Sequence, residues 1–420
     1  MKKAKEDTLF DAEFGVRLRA TRKMAGMSME DLASKMGGMV TKQAISKYER
    51  GLMMPSPEVL ERLGQVLDEA TQGVSPLGDA VLGLTPEKSH EPSAVYCYIS
   101  EAGRDEIPNR IRDAAPVRRS ERFPSLAERR ARYLEAWEAG AGAGRIRFRE
   151  GQKLPARSAS MLKHRLADYL QRCLGLEALL GTTSRFENPI RNLPVGSPTE
   201  VETAAVEVRR RWDLGSGPIV NLLGLLEDRG IRVFETRGIE GFEGLSGTFG
   251  ADPAVPFIAV SRDFPDDRVR FTAAHELAHI LCGFPESEGE EDLCHRFAGA
   301  FLLPESAAEK AFSGGPRRRV TLGELAEIKT AFGISLQAVM YRARALGLIS
   351  GRRLRAFRET VKARGWSVVE PVDFSGAERA SRFRNLVRRA VASGVLDVDR
   401  ASKLAGIPAE EIRDEIGELF

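Results

Sequence analysis

The chain has 420 residues, with 63 Lys+Arg against 60 Asp+Glu and 29% charged residues, which makes two to four domains with ample core material. Its net charge of +3 is too small to identify a partner by itself, and no apolar run reaches the 18 residues a membrane span needs. Met1-Lys2-Lys3 leads into charged residues rather than an apolar signal core, and four scattered cysteines (Cys97, Cys173, Cys282, Cys294) show no C-x-x-C spacing, so a reducing cytoplasm without membrane contact is expected.

The first domain is read over residues 8–70. A helix opens at Phe14 with apolar residues at Phe14, Leu18 and Met24, and Gly26 breaks it. Ser28 caps a short helix from Met29 to Met36, and Gly37-Gly38 makes the tight turn of a helix-turn-helix. Thr41 caps a third helix, Lys42 to Glu49, and Pro55 and Pro57 precede a fourth carrying Val59, Leu60, Leu63, Val66 and Leu67. The stretches LRATRKMAGMSMEDLASKMG and AISKYERGLMMPSPEVLERLGQVL resemble the XRE (Cro/repressor-like) DNA-binding domain. The resemblance implies a double-stranded operator as partner and, because such domains read two-fold sites, a homodimer.

Helix 42–49 is then the recognition helix. Lys42, Gln43, Ser46 and Lys47 are its DNA-facing candidates, while Ala44, Ile45 and Tyr48 pack inward. Gln suits adenine edges and Lys suits guanine or phosphate. Met29 stands where many relatives carry Gln, which removes one usual contact. Met1 to Leu67 carries 12 Lys/Arg against 9 Asp/Glu, a weak electrostatic footprint that leaves specificity to a dimer or to added contacts.

Residues 71–187 read as a linker followed by a basic helical connector. Gly, Pro and Ser punctuate Gln72 to Pro92. Arg104 to Arg172 holds 17 Lys/Arg against 9 Asp/Glu, with arginines at 118–119, 129, 130, 132, 145, 147 and 149. Such a face contacts phosphate or is simply solvated, since Glu residues are interleaved. Helices are expected at Leu126 to Ala139 and Ser158 to Leu179.

Residues 188–312 form the central domain. Pro198 to Trp212 reads as an amphipathic helix through Val201, Ala204, Ala205, Val208 and Trp212, and Pro218 to Asp228 as a second. Three short strands follow, Ile231 to Phe234, Gly244 to Phe249 and Pro256 to Val260, expected as a small antiparallel sheet. An exposed edge strand can pair with an extended peptide backbone, so Leu245 to Thr248 is a candidate rim.

Next comes RVRFTAAHELAHILCGFPESEGEEDLCHRFAGAFLLP, residues 268–304. Its H-e-l-a-H run sets His275 and His279 four apart on one helix face, where two imidazoles can reach one Zn²⁺, and sets Glu276 beside them to take a proton from an activated water. Three of the five histidines of the chain fall in this stretch, on an otherwise apolar helix. The third ligand comes from Glu290, Glu291, Asp292 or His295, after a short loop. Glu291 is the favoured ligand and His295, four residues on, its supporting neighbour. Cys282 and Cys294 flank the hairpin and read as small buried apolar filler in preference to metal ligands, the other role open to them.

RFTAAHELAHIL followed by EEDLCHRFAGAFLLP resembles the ImmA/IrrE family of metallopeptidases over about Asn188 to Gly347. The resemblance implies zinc on His275, His279 and Glu291, with Glu276 as general base, and cleavage of a repressor or other regulatory protein. Many members carry Asn where His295 stands here.

After Pro304 the chain is helical, a C-terminal extension over 313–420. Thr321 to Phe332 and Ser335 to Leu346 form one helix pair, and Gly394 to Leu419 has the look of another helix-turn-helix. The fold expected is multidomain and mainly α: an all-α helix-turn-helix bundle, a zincin-like α+β domain and helical pairs. The function expected is a DNA-binding regulator with a zinc endopeptidase domain. A rival is a transcription factor whose peptidase-like domain senses a ligand or metal and cleaves nothing; a third is an antitoxin-like module that binds a partner protein.

Overall fold

The computed structural model describes residues 14–71, 147–148 (backbone alone), 154–182, 184–250, 254–284, 289–313, 317, 319–367 and 369–417. The expected linker at 72–92, the helix at 126–139 and the arginines at 118–119, 129–132, 145 and 149 lie outside them. The described residues divide into two compact units. One comprises the N-terminal helices, residues 154–182 and residues from Arg382 onward; the other comprises 147–148 and residues 184–381.

In the first unit, helix α1 spans residues 14–24, followed by α2 (Met29–Lys35), α3 (Lys42–Glu49) and α4 (Pro57–Thr71). Local chemistry sets these bounds. Ser28 and Asp31 form a capping box on α2, and Thr41 caps α3 through Ala44 N. Gly37 and Gly38 turn the chain with φ of 65° and 84°, a region that costs other residues strain. Gly15 has a packing reason instead: a Cβ there would lie 2.5 Å from the Tyr48 carbonyl, so α1 reaches α3 only without a side chain. Leu18, Leu32, Ile45, Leu63 and Leu67 fill the core, and Arg22 donates to both oxygens of Glu49 at 2.5 and 2.8 Å beneath them.

Helix α5 (Ala156–Leu180) completes this unit together with three C-terminal helices, α14 (Arg382–Ala392), α15 (Val398–Ala405) and α16 (Ala409–Gly417). Leu176, Leu386, Val387, Ala390, Ala401 and Ile412 share one apolar cluster. Arg165 of α5 donates to the Met24 carbonyl at the end of α1, 3.1 Å away.

The second unit is α/β. It contains β1 (Arg147–Phe148), α6 (Pro198–Arg211), α7 (Leu222–Asp228), β2 (Arg232–Thr236), β3 (Gly244–Phe249), β4 (Val255–Ser261), α8 (Asp266–Leu281), α9 (Glu290–Leu302), α10 (Glu305–Ala311), α11 (Leu322–Phe332), α12 (Leu336–Ala345) and α13 (Gly351–Arg364). The strands lie in the order β1-β3-β4-β2. The sheet is mixed, not wholly antiparallel as expected: β3 pairs antiparallel with β4, whereas β2 pairs parallel with it. The short β3–β4 connection enforces a hairpin, and the longer β2–β3 connection carries the chain past β4, so β2 lands beside β4 in the same direction. Phe257 to Val260 are accordingly buried as a continuous run, as a central strand requires.

Helix α7 begins at Leu222 and not at Pro218, because Asn221 caps it and the Glu378 carboxylate accepts from Leu222 N and Leu223 N at 3.1 and 3.0 Å. Glu378 also pairs with Arg270, and both are fully buried. Burial pushes the Arg270 guanidinium down and the Glu378 carboxyl up, against their mutual attraction. Gly333, with φ of 63°, lets this pair fit, since a Cβ would lie 2.6 Å from Arg270 Nε. Lys329 Nζ donates to Asp267 and Glu370, at 2.8 Å each. Burial opposes its charge, yet these two carboxylates raise its pKa. Residues 370–378 are thus bound by ion pairs to Arg270 of α8 and to Lys329 of α11.

Candidate metal centre

Helix α8 carries Val269, Ala273, Ala274, Leu277, Ala278 and Leu281 into the core, where they meet Phe297, Ala298 and Phe301 of α9. Asn188 anchors its last turn by donating to the Leu281 carbonyl at 2.8 Å. The apolar spacing fixes the rotation of α8, and the remaining stripe presents His275, Glu276 and His279 toward α9 and β3.

Glu291, in the first turn of α9, faces both histidines. One of its oxygens lies 3.1 Å from His275 Nε2 and the other 3.5 Å from His279 Nε2. The other nitrogen of His279, Nδ1, lies 3.1 Å from Glu290 Oε1 and 3.4 Å from Cys294 Sγ. His295 Nδ1 donates to the Glu291 carbonyl at 2.7 Å, and its ring stands edge-on to His275 with centroids 4.5 Å apart. Two sets present one donor atom each within 4.8 Å: His275, His279 and Cys294, and His275, Glu291 and His295.

Proton counting shows what this arrangement suits. A neutral imidazole carries one N–H, whereas His279 faces a carboxylate oxygen with each ring nitrogen. When Nδ1–H donates to Glu290, the Nε2 lone pair points at an oxygen that can only accept. Burial, followed by the neighbouring His295 and His279, lowers the His275 pKa to about 3. His275 Nδ1 is buried and has no hydrogen-bond partner. A cation among the Nε2 atoms and Glu291 relieves the excess of acceptors. Zinc takes imidazole nitrogen and carboxylate oxygen, and donors about 2.0–2.2 Å from a tetrahedral ion stand about 3.3–3.5 Å from one another, close to the two distances between Glu291 and the imidazoles. The residues present fit a zinc ion.

Glu276 is buried beside the histidines, and its Oε2 accepts from Ser246 Oγ of β3 at 2.7 Å. The strand can approach so closely because position 244 is glycine: a Cβ there would meet Thr272 Cγ2 at 2.3 Å. Neither Ser246 nor the Glu290–His279 pairing is evident from the motif. Their only forerunners in the sequence are a glycine-rich strand just before the helix and a run of acids after it. The expected rim of Leu245 to Thr248 is not an open edge throughout, since Arg147 pairs with Thr248 and Phe148 with Gly247. Two other cations of the stretch are committed elsewhere: Arg270 is sealed against Glu378, and Arg268 donates to Glu243 at 2.6 Å with its guanidinium 4.3 Å above the Phe264 ring.

In the first unit, Lys42, Gln43 and Lys47 are exposed on α3 and Ser46 is half-buried, while Ile45 and Tyr48 are buried. Lys42 pairs with Glu30 of α2 at 2.5 Å, and Glu30 is itself exposed. No helix among the described residues is long and apolar enough to cross a membrane.

Residues 18–73 match the model of a helix-turn-helix family, and residues 226–344 match the model of the IrrE N-terminal-like domain, a peptidase family. No curated protein matches the chain. The chain therefore joins a helix-turn-helix DNA-binding domain to a peptidase-family domain of the IrrE N-terminal-like type, and the His275–Glu276–His279 site lies within the second.

Proposed function

We propose that the protein is a DNA-binding regulator whose second domain is a zinc endopeptidase acting on a repressor or other regulatory protein. The observation that carries this reading is the convergence of His275 Nε2 and His279 Nε2 on Glu291, with Glu276 held alongside by Ser246. His275, His279 and Glu291 would hold the ion, which when bound supplies a Lewis acid and lowers the pKa of a coordinated water. Glu290 fixes the His279 ring through Nδ1, leaving Nε2 for ligation. Glu276 takes the proton of the attacking water and passes it to the departing amine, and the Ser246 hydroxyl holds the carboxylate in position. The DNA half of the reading places Lys42, Gln43, Ser46 and Lys47 against a double-stranded operator, with a homodimer as the reading unit. The domain pairing suits a protein of the cytoplasm.

The test is metal content and activity on three versions of the full chain. Native protein should carry about one zinc per chain, His279→Ala should lose it, and Glu276→Gln should keep both zinc and DNA binding while losing peptide cleavage. Unaltered regulatory output in Glu276→Gln would sink the peptidase reading and leave a non-cleaving sensor.

A further inference from the structure

Strand β3 packs against the helix that bears Glu276 and His279, and one side of it is fully paired with β4 from Gly244 to Phe249. Among the described residues, its other side is paired at Gly247 and Thr248, by the backbone of Phe148 and Arg147 running antiparallel. The next residue along β3 is Ser246, whose hydroxyl donates to Glu276. Residues 147–148 of the connector therefore lie strand-fashion on the edge of β3, paired up to the residue next to the one that faces the general base. Backbone addition of this kind is how an extended peptide docks on a sheet edge, since main-chain hydrogen bonds supply the affinity irrespective of sequence.

We infer that residues 147–148 are an intramolecular occupant of the edge that receives an extended peptide substrate, so that a substrate in trans must displace them. The inference rests on the peptidase reading above. Two features of the strand fit a displaceable occupant. It is two residues long, well short of the usual five or six. The edge it covers belongs to a strand whose opposite side is held by six paired residues, so β3 stays in place when the occupant leaves. The apparent affinity for a peptide in trans is then reduced by the fraction of molecules whose edge is open.

The experiment uses the full zinc-loaded chain carrying Glu276→Gln, so that bound peptide persists, and a fluorescein-labelled synthetic peptide of residues 143–153 as the probe. Arg147→Pro/Phe148→Pro removes both backbone donors of the occupant. It should bind the probe about five- to tenfold more tightly by anisotropy, at unchanged zinc content. Arg147→Ala/Phe148→Ala keeps the backbone donors and should bind as its parent does. Equal affinity in the proline and parent chains, no binding to either, or an equal gain in the alanine chain would each overturn the inference. Cleavage is read separately with Glu276 intact. Tighter binding without any cleavage of the probe would retire the peptidase reading and leave the edge competition standing; cleavage with no change in binding would do the reverse.

Discussion

Ser246 Oγ donates to Glu276 Oε2 across 2.7 Å, joining a strand to the helix thirty residues downstream at the one carboxylate the motif reserves for proton transfer. Removing this bond takes away one holder of the Glu276 carboxylate. A hydrogen bond to a charged group is worth about 1.5–3 kcal/mol. Ser246→Ala should therefore lower kcat/KM by about tenfold, the effect of roughly 1.4 kcal/mol, while zinc content stays at that of the native chain. Wild-type activity in this variant would show that Glu276 needs no second holder.

Glu290 and Glu291 are adjacent in sequence and differ in what they face: Glu291 lies near the Nε2 atoms of both histidines, whereas Glu290 lies near His279 Nδ1 alone. Loss of a ligand and loss of a ligand's support should separate in a zinc titration. Glu291→Ala should abolish stoichiometric binding, and Glu290→Ala should weaken it by about 10–100-fold. Full retention of zinc by Glu291→Ala, with loss in Cys294→Ala, would transfer the third position to the cysteine.

The buried Arg270–Glu378 pair sets a stability prediction. Arg270→Met strands a carboxylate, and Glu378→Met strands a guanidinium and also uncaps α7. Each single change should cost about 3–5 kcal/mol. The double Arg270→Met/Glu378→Met chain should recover most of this in denaturant unfolding, short of about 1 kcal/mol for the missing cap. Strictly additive losses would mean that the two groups do not act as a pair.

On α3, Lys47 and Gln43 are exposed and should respond differently in operator titrations. Lys47→Ala should weaken binding to all sequences alike and reduce the salt slope by about 1; Gln43→Ala should relax preference at one base pair. Identical behaviour on matched and scrambled DNA in both variants would remove Gln43 from base readout.

The parts of this fold that were legible beforehand are those whose cause is local. Ser28 and Thr41 cap helices by reaching three residues along the chain, and each does so where the sequence places it. The His275–His279 spacing likewise needs only helical periodicity. What stayed hidden has partners far apart in sequence. Glu378 reaches α7 from more than 150 residues away, and Ser246 looks like an ordinary strand serine until β3 is laid on α8. The parallel pairing of β2 with β4 depends on which neighbour a strand finds, which its own residues do not state. Arg147–Phe148 is too short to register as a strand at all.

One feature of the chain path bears on how scission could be read out. The polypeptide leaves the first unit after α5, builds the whole of residues 184–381, and returns at Arg382 to lay α14, α15 and α16 on the Leu176 face of α5. The N-terminal helices touch this same assembly through Arg165 and Met24. After a backbone break between residues 72 and 153, these contacts would be what ties the N-terminal helices to the rest of the unit. The fragments would stay docked until those contacts open, so the lifetime of a severed molecule on DNA would be timed by dissociation and not by the cut.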